Sequence, residues 1–165
     1  GALPELQMSA ACQSLADAFG AVLLEEGCGR SPHPLLSEIT SETGDSSRLI
    51  LLRLSGDVGV DESGEGSWME ALAGWRIPVL MLAHPRPDGR FGGIVPASVA
   101  FARELKLPLL GLVQLAGEWD AAARRADGLP WCGCLQGPDD DPRGLISCLQ
   151  HRQGVLAKEA SAGSA

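Results

Sequence analysis

The chain has 165 residues, 45% of them hydrophobic, a formal net charge of −8 and only two lysines, Lys106 and Lys158. That length fits one domain, and the apolar content is enough for a core, which excludes a disordered chain. The acidic balance argues against a nucleic-acid or anionic-membrane surface, which needs a basic face, and no apolar run approaches the roughly 20 residues that span a bilayer.

In chain order, residues 9–26 place Leu15, Phe19, Val22 and Leu23 at helical spacing, with Ser9 as a cap, and predict an amphipathic helix. A strand over 21–25 is the competing reading of the same residues. It is set aside because the stripe begins well before residue 21. Residues 27–47 read as a loop with a short helical turn at 34–40. The run at 48–54, RLILLRL, predicts a strand buried on both faces. The glycine- and acid-rich loop 55–66 follows, then a helix over 67–75 with Trp68, Leu72 and Trp75 on one face.

Residues 77–83, IPVLMLA, predict the clearest strand, and 84–93 a long loop at its carboxyl end. A helix is expected over 94–106. It carries Pro96 in its first turn, where a missing N–H costs nothing, and a stripe of Val95, Val99 and Ala102. A strand at 107–115, a helix at 118–127 stopped by Gly128, a strand at 129–135 and a helix at 142–158 complete the chain. Its proline and glycine mark the last strand as an edge strand. Strands alternating with helices predict an α/β fold, with a mainly parallel sheet of about four strands and helices on both faces. One domain is expected over 1–158, with 159–165 as a flexible tail. In such sheets ligands bind outside the carboxyl ends of the strands.

The loop 84–93, HPRPDGRFGG, is the most distinctive segment for chemistry. It places His84, Arg86, Asp88 and Arg90 before Gly92 and Gly93 at a helix start, where backbone N–H groups favour a small anion. The carboxylates Asp57, Asp61 and Glu62 could serve a divalent cation, but their spacing is not that of an EF-hand, and a solvated acidic loop is the preferred reading. Cys132 and Cys134 lack a second cysteine or histidine pair at zinc spacing, so no metal site is expected. Five irregularly spaced cysteines do not form a disulfide framework. With no signal-peptide pattern at the start, they point to reduced thiols and a cytoplasmic location. Cys28, between two glycines, reads as a small loop residue, with a reactive thiol as the alternative. His33 and His151 have no assigned partner, and no G-x-S-x-G turn is present. Trp68 and Trp75 are expected to pack on the sheet, and Trp131 to face a partner.

Residues 48–137 resemble the carboxyl-terminal half of a dethiobiotin-synthetase-like P-loop ATPase. The resemblance lies in RLILLRL leading to SGDVG, a short helix, IPVLMLA, a glycine loop, a long helix, LPLLGLVQL and the closing ADGLPWCGCL. It implies ATP with magnesium as a ligand class; together with the loop reading, the candidate ligand contacts are Ser55, Gly56, Asp57, His84, Arg86, Arg90, Gly92, Gly93 and Gln114. The family's G-x-x-x-x-G-K-[ST] loop is absent, Leu54-Ser55-Gly56-Asp57 replaces its Glu-Gly-x-Gly-Gly, and Gln114 stands for its asparagine. The implied function is therefore a partial nucleotide- or anion-binding domain that is not a self-sufficient ATPase.

The amino-terminal helix, then RLILLRLSGD, then WRIPVLMLAHPRPDGRFGGIVPASVAF, is also similar to the first half of a crotonase domain, as in a shortened crotonase-like domain of a larger synthase. That resemblance implies an acyl-thioester ligand and an oxyanion hole at 55–57 and 92–93. A third reading is a non-catalytic interaction domain, with a protein partner or a second copy of the chain.

Overall fold

The computed structural model describes residues 5–44, 48–61, 64–137 and 141–162. Helix α1 (Glu5–Phe19) stops where Gly20 turns to φ +63. There the N–H of Gly20 donates to the Asp17 carbonyl and that of Ala21 to the Ala16 carbonyl, at 3.1 and 2.8 Å. These two bonds form a Schellman stop, open at little cost to glycine. Val22 and Leu23 therefore leave the helix and enter strand β1 (Val22–Gly27), which corrects the single helix expected over 9–26. The reading set aside for those residues is the one the chain adopts.

Helix α2 (Pro32–Gly44) is longer than the turn expected at 34–40. There follow β2 (Ile50–Ser55), α3 (Trp68–Gly74), β3 (Val79–Ala83), α4 (Ile94–Glu104), β4 (Leu109–Leu115), α5 (Ala121–Ala126), β5 (Trp131–Leu135) and α6 (Arg143–Ala162). The fold is α/β. The strands form two parallel sheets, β1–β2 and β3–β4–β5, so there is one strand more than the pattern suggested. In the second sheet β5 pairs only with β4, an edge position that tolerates its Pro130 and Gly133.

Helices cover both faces. On one, Ala11 and Leu15 of α1 and Leu145, Ile146 and Leu149 of α6 pack with Val113, Leu115 and Leu135. On the other, Leu35 and Leu36 of α2, Trp68 and Leu72 of α3 and Ala102 of α4 form a second cluster. Trp68 is the largest fully buried side chain, and its indole N–H lies 3.1 Å from the carbonyls of both Cys28 and Arg30. Trp75 does not share that role. It caps α3 half-exposed and donates to Nδ1 of His33 at 3.1 Å.

The β3–β4–β5 sheet contains two register shifts, and Gly111 at φ +146 and Gly133 at φ +155 lie beside them. Carbonyls at these shifts are bonded by Arg152 of α6. Its guanidinium donates to Leu110 O, Pro130 O and Trp131 O at 2.9, 2.8 and 2.9 Å. A Cβ at Gly111 would meet the Pro130 carbonyl at 2.5 Å, so the backbones approach too closely for any side chain. Gly111→Ala is expected to destabilise by about 3 kcal/mol, through strain and overpacking. Arg152→Met should cost about 2–3 kcal/mol, by removing a charged donor shared by three part-buried carbonyls. Thermal unfolding checks both, at about 2–4 °C per kcal/mol for a domain of this size.

Two helix starts carry acid-sensitive caps. Ser67 and Glu70 form a reciprocal capping box, and the Ser67 backbone N–H, then its hydroxyl, holds the Glu70 carboxyl below its ordinary 4.5. Asp120 caps α5, and the N–H groups of Ala123 and Ala122 hold it below 3.8. Carboxyls with lowered values stabilise the fold above their unfolded values, and that contribution fades as pH falls through the folded ones. Denaturant midpoints should therefore drop on acidification below about pH 4.5. Glu70→Gln should lower the midpoint at neutral pH and narrow the loss on acidification.

Candidate functional site

Parallel strands send their carboxyl ends, and the loops that follow, to one rim of each sheet. After β2, Ser55 Oγ donates to the Glu26 carbonyl at 3.2 Å. Gly56 at φ +111 packs on Cys28: a Cβ there would sit 3.2 Å from the Cys28 Cβ. Cys28 is thus a buried packing residue. Asp57 is exposed, but its carboxylate accepts from the Gly59 N–H at 3.0 Å, and Asp61 accepts from Gly64 at 2.7 Å. Both acids close turns of their own loop. Glu62 lies outside the described residues. Among the described residues no three His, Cys, Asp or Glu side chains converge as a metal-ligating group.

The loop after β3 is a built turn. Arg86 N donates to Arg90 O at 2.8 Å, Gly89 N to Arg86 O at 2.9 Å, and Asp88 accepts from Arg90 N at 3.0 Å. His84 Nδ1 lies 2.6 Å from the carbonyl of Pro85. The side chains of His84, Arg86 and Arg90 are exposed. Arg86 reaches over Gly92, where a Cβ would be 3.4 Å from its Nη2, and Gly93 begins α4 with open space around it and no side-chain cap. His84 and Arg86 also line a depression of about 530 Å³ with Asp88, Gly89, Gly117 and Glu118. Ser55, Gly56, Asp57, Arg90, Gly92, Gly93 and Gln114 are not part of its wall. Ser55–Asp57 and Gly92–Gly93 follow strands of different sheets.

Gln114 is completely buried, and its amide nitrogen faces the carbonyls of Ala116, Gly117 and Glu118 at 2.9, 3.3 and 3.0 Å. It therefore holds the turn after β4. A Cβ at Gly117 would meet Pro85 at 2.9 Å, so this turn packs directly on the 84–93 loop.

Arg124 latches that loop from the other side. Its guanidinium donates to Gly89 O at 3.0 Å and lies 4.6 Å from the ring centre of Phe91 and 5.4 Å from that of Trp131. The Phe91 and Trp131 rings meet at a 40° tilt with centres 4.6 Å apart, and Trp119 meets Trp131 edge-on at 6.3 Å. The sequence reading missed Arg124, Phe91 and Trp119. The available signal was scarcity: in a chain with seven Trp and Phe and no Tyr, aromatics near the loop were worth pairing.

Burial keeps two of the other thiols protonated. Burial pushes Cys12 up to about 11, helped by Glu25, and Cys132 up to about 12. Cys132 and Cys134 stand two apart in β5, and Cys132 packs against the α1–α6 cluster. A second depression, of about 310 Å³, is apolar and lies between Leu6 and Ala10 of α1 and the ends of β4 and β5.

No protein-family model matches the chain, and no curated protein matches it. No helix among the described residues is long and apolar enough to cross a membrane.

The latch has a direct readout. Arg124 is only 10% exposed in its side chain. Arg124→Ala should cost about 1–2 kcal/mol from the lost cation–π and hydrogen-bond contacts. Amide exchange at Arg86 and Gly89 should accelerate and tryptophan emission should shift, while exchange in β1 and β2 stays unchanged.

Proposed function

We propose that this chain is a dethiobiotin-synthetase-like nucleotide- or anion-binding domain, partial in its site and not an ATPase by itself. The observation that carries the reading is the position of Arg86. Its guanidinium lies over Gly92 at the start of α4, an 11-residue helix whose first turn has no side-chain cap. The positive end of a helix dipole and a guanidinium at one place favour a phosphate or carboxylate group. Arg90 adds a second positive charge from the same turn.

The residues present suit a single anionic group better than a magnesium-bound triphosphate. Lys106 follows the far end of α4 and Lys158 stands in α6, so neither reaches the Gly92 end. The Asp57 carboxylate is engaged with Gly59. An acyl-thioester oxyanion would need N–H groups from 55–57 and 92–93 to meet, and these belong to separately bonded sheets.

Calorimetric titration with inorganic phosphate, ATP–Mg²⁺ and butyryl-CoA tests this reading. Phosphate and ATP should bind with Kd near about 1 mM, and Arg86→Ala should weaken both by about tenfold. Butyryl-CoA should bind no better than its phosphate groups allow. Absence of saturable phosphate binding, or an unchanged Kd in the Arg86 variant, would refute it.

A further inference from the structure

The two sheets are held side by side without being bonded to each other. Among the described residues β2 pairs only with β1, and β3 only with β4. Both strands nevertheless supply side chains to the same two clusters. Leu52 and Leu54 of β2 and Val79 and Met81 of β3 pack on the α2–α3–α4 side. Leu51 of β2 and Leu80 and Leu82 of β3 pack on the α1–α6 side. Helix α1 contacts β1, β2 and β4, so it lies across both sheets.

Burial is out of step with composition. Strand β4 contains Gly111 and Gln114, yet its last five residues are buried. In β2 and β3 the aliphatic residues of the facing pair are only half-buried: every Leu and Ile of β2, and Val79, Leu80, Met81 and Leu82 of β3. Strands this rich in aliphatic residues belong inside a sheet, with a neighbour on each side. Instead each has one hydrogen-bonding edge with no strand on it. Arg53 of β2 adds a buried donor in the same state: its side chain is 5% exposed, it pairs with Glu5 and Glu25, and its Nε has no partner.

The edges also run the same way. Trp68 at the start of α3 bonds to the carbonyls of Cys28 and Arg30, beyond the carboxyl end of β1. Helix α3 then carries the chain back to begin β3 at the opposite end, the ordinary strand–helix–strand return.

We propose that the free edges of β2 and β3 accept one further strand between them, an extended aliphatic segment of about five or six residues. It comes from polypeptide outside these 165 residues and runs parallel to both neighbours. Only a peptide backbone offers N–H and C=O groups on both sides to satisfy two strand edges at once. Leucines above and below require every inserted side chain to be apolar, best met by valine and isoleucine. A second copy of this chain does not fit. Its apolar runs of strand length already form β1 to β5 or a helix, so it has no strand to give without unfolding. The insertion would join the sheets into a six-stranded β1–β2–X–β3–β4–β5 array, where X is the inserted strand. It is independent of anion binding at Arg86.

The test is amide exchange with and without a lysine-solubilised hexapeptide of alternating valine and isoleucine. A control peptide has proline at its third and fifth positions, because proline lacks the donor a central strand needs. In the free chain, amides on the outer edges of β2 and β3 should exchange readily. The valine–isoleucine peptide should slow them by at least about tenfold, and the proline peptide should not. Four results would overturn the proposal. These are slow exchange of both edges in the free chain, no slowing with peptide, slowing confined to β5, and slowing that rises with protein concentration alone.

Discussion

Everything in this molecule depends on two layers of helix clasping two sheets that, among the described residues, do not bond to each other. Cohesion across the line between β2 and β3 therefore rests on apolar packing. Each layer draws side chains from both sheets, so loss of either layer would let the halves part. Trp68 shows the scale. Full burial of such a side chain contributes on the order of 4–6 kcal/mol, and its indole N–H fixes α3 to the turn after β1. Surface pairs such as Arg143–Asp141 add little beside this, since both partners stay solvated.

The cations of this acidic chain divide into internal and external sets. Arg53, Arg124 and Arg152 point inward. The first pairs with carboxylates, the second clamps an aromatic cluster, and the third collects three carbonyls beside the register shifts. Arg86 and Arg90 remain exposed on one turn. The acids at the rim behave in the opposite way: Asp57, Asp88 and Asp120 all accept backbone N–H groups and close turns or cap a helix. The rim therefore sets exposed guanidinium groups beside carboxylates already engaged by backbone N–H groups.

The rigidity of the 84–93 loop follows from the same division. It is braced by its own turn, by the packing of Pro85 against Gly117, and by Arg124 bonded to Gly89. A segment that composition alone describes as a charged, glycine-rich loop is thus held on three sides. Gln114 plays the matching part beneath it, its buried amide turned to the carbonyls of the next loop.

Pattern and composition alone determined much of this protein. The α/β class, the parallel direction, the position of β3 and β4, the stripe of α4 and the edge placement of β5 follow from apolar runs, proline positions and strand–helix alternation. Those are local signals. Tertiary structure decided the rest. Val22 and Leu23 satisfy helical and strand periods equally, and only the stop at Gly20 and the pairing with Ile50 and Leu51 made them β1. The run RLILLRL announced a strand covered on both faces, and it is, but the number of its hydrogen-bonded neighbours could not be read from it. Arg152 and Leu110 stand 42 residues apart, and the reason for Gly111 exists only where they meet. Period and propensity act over a few residues, whereas edges, latches and shared clusters are made by segments far apart in the chain.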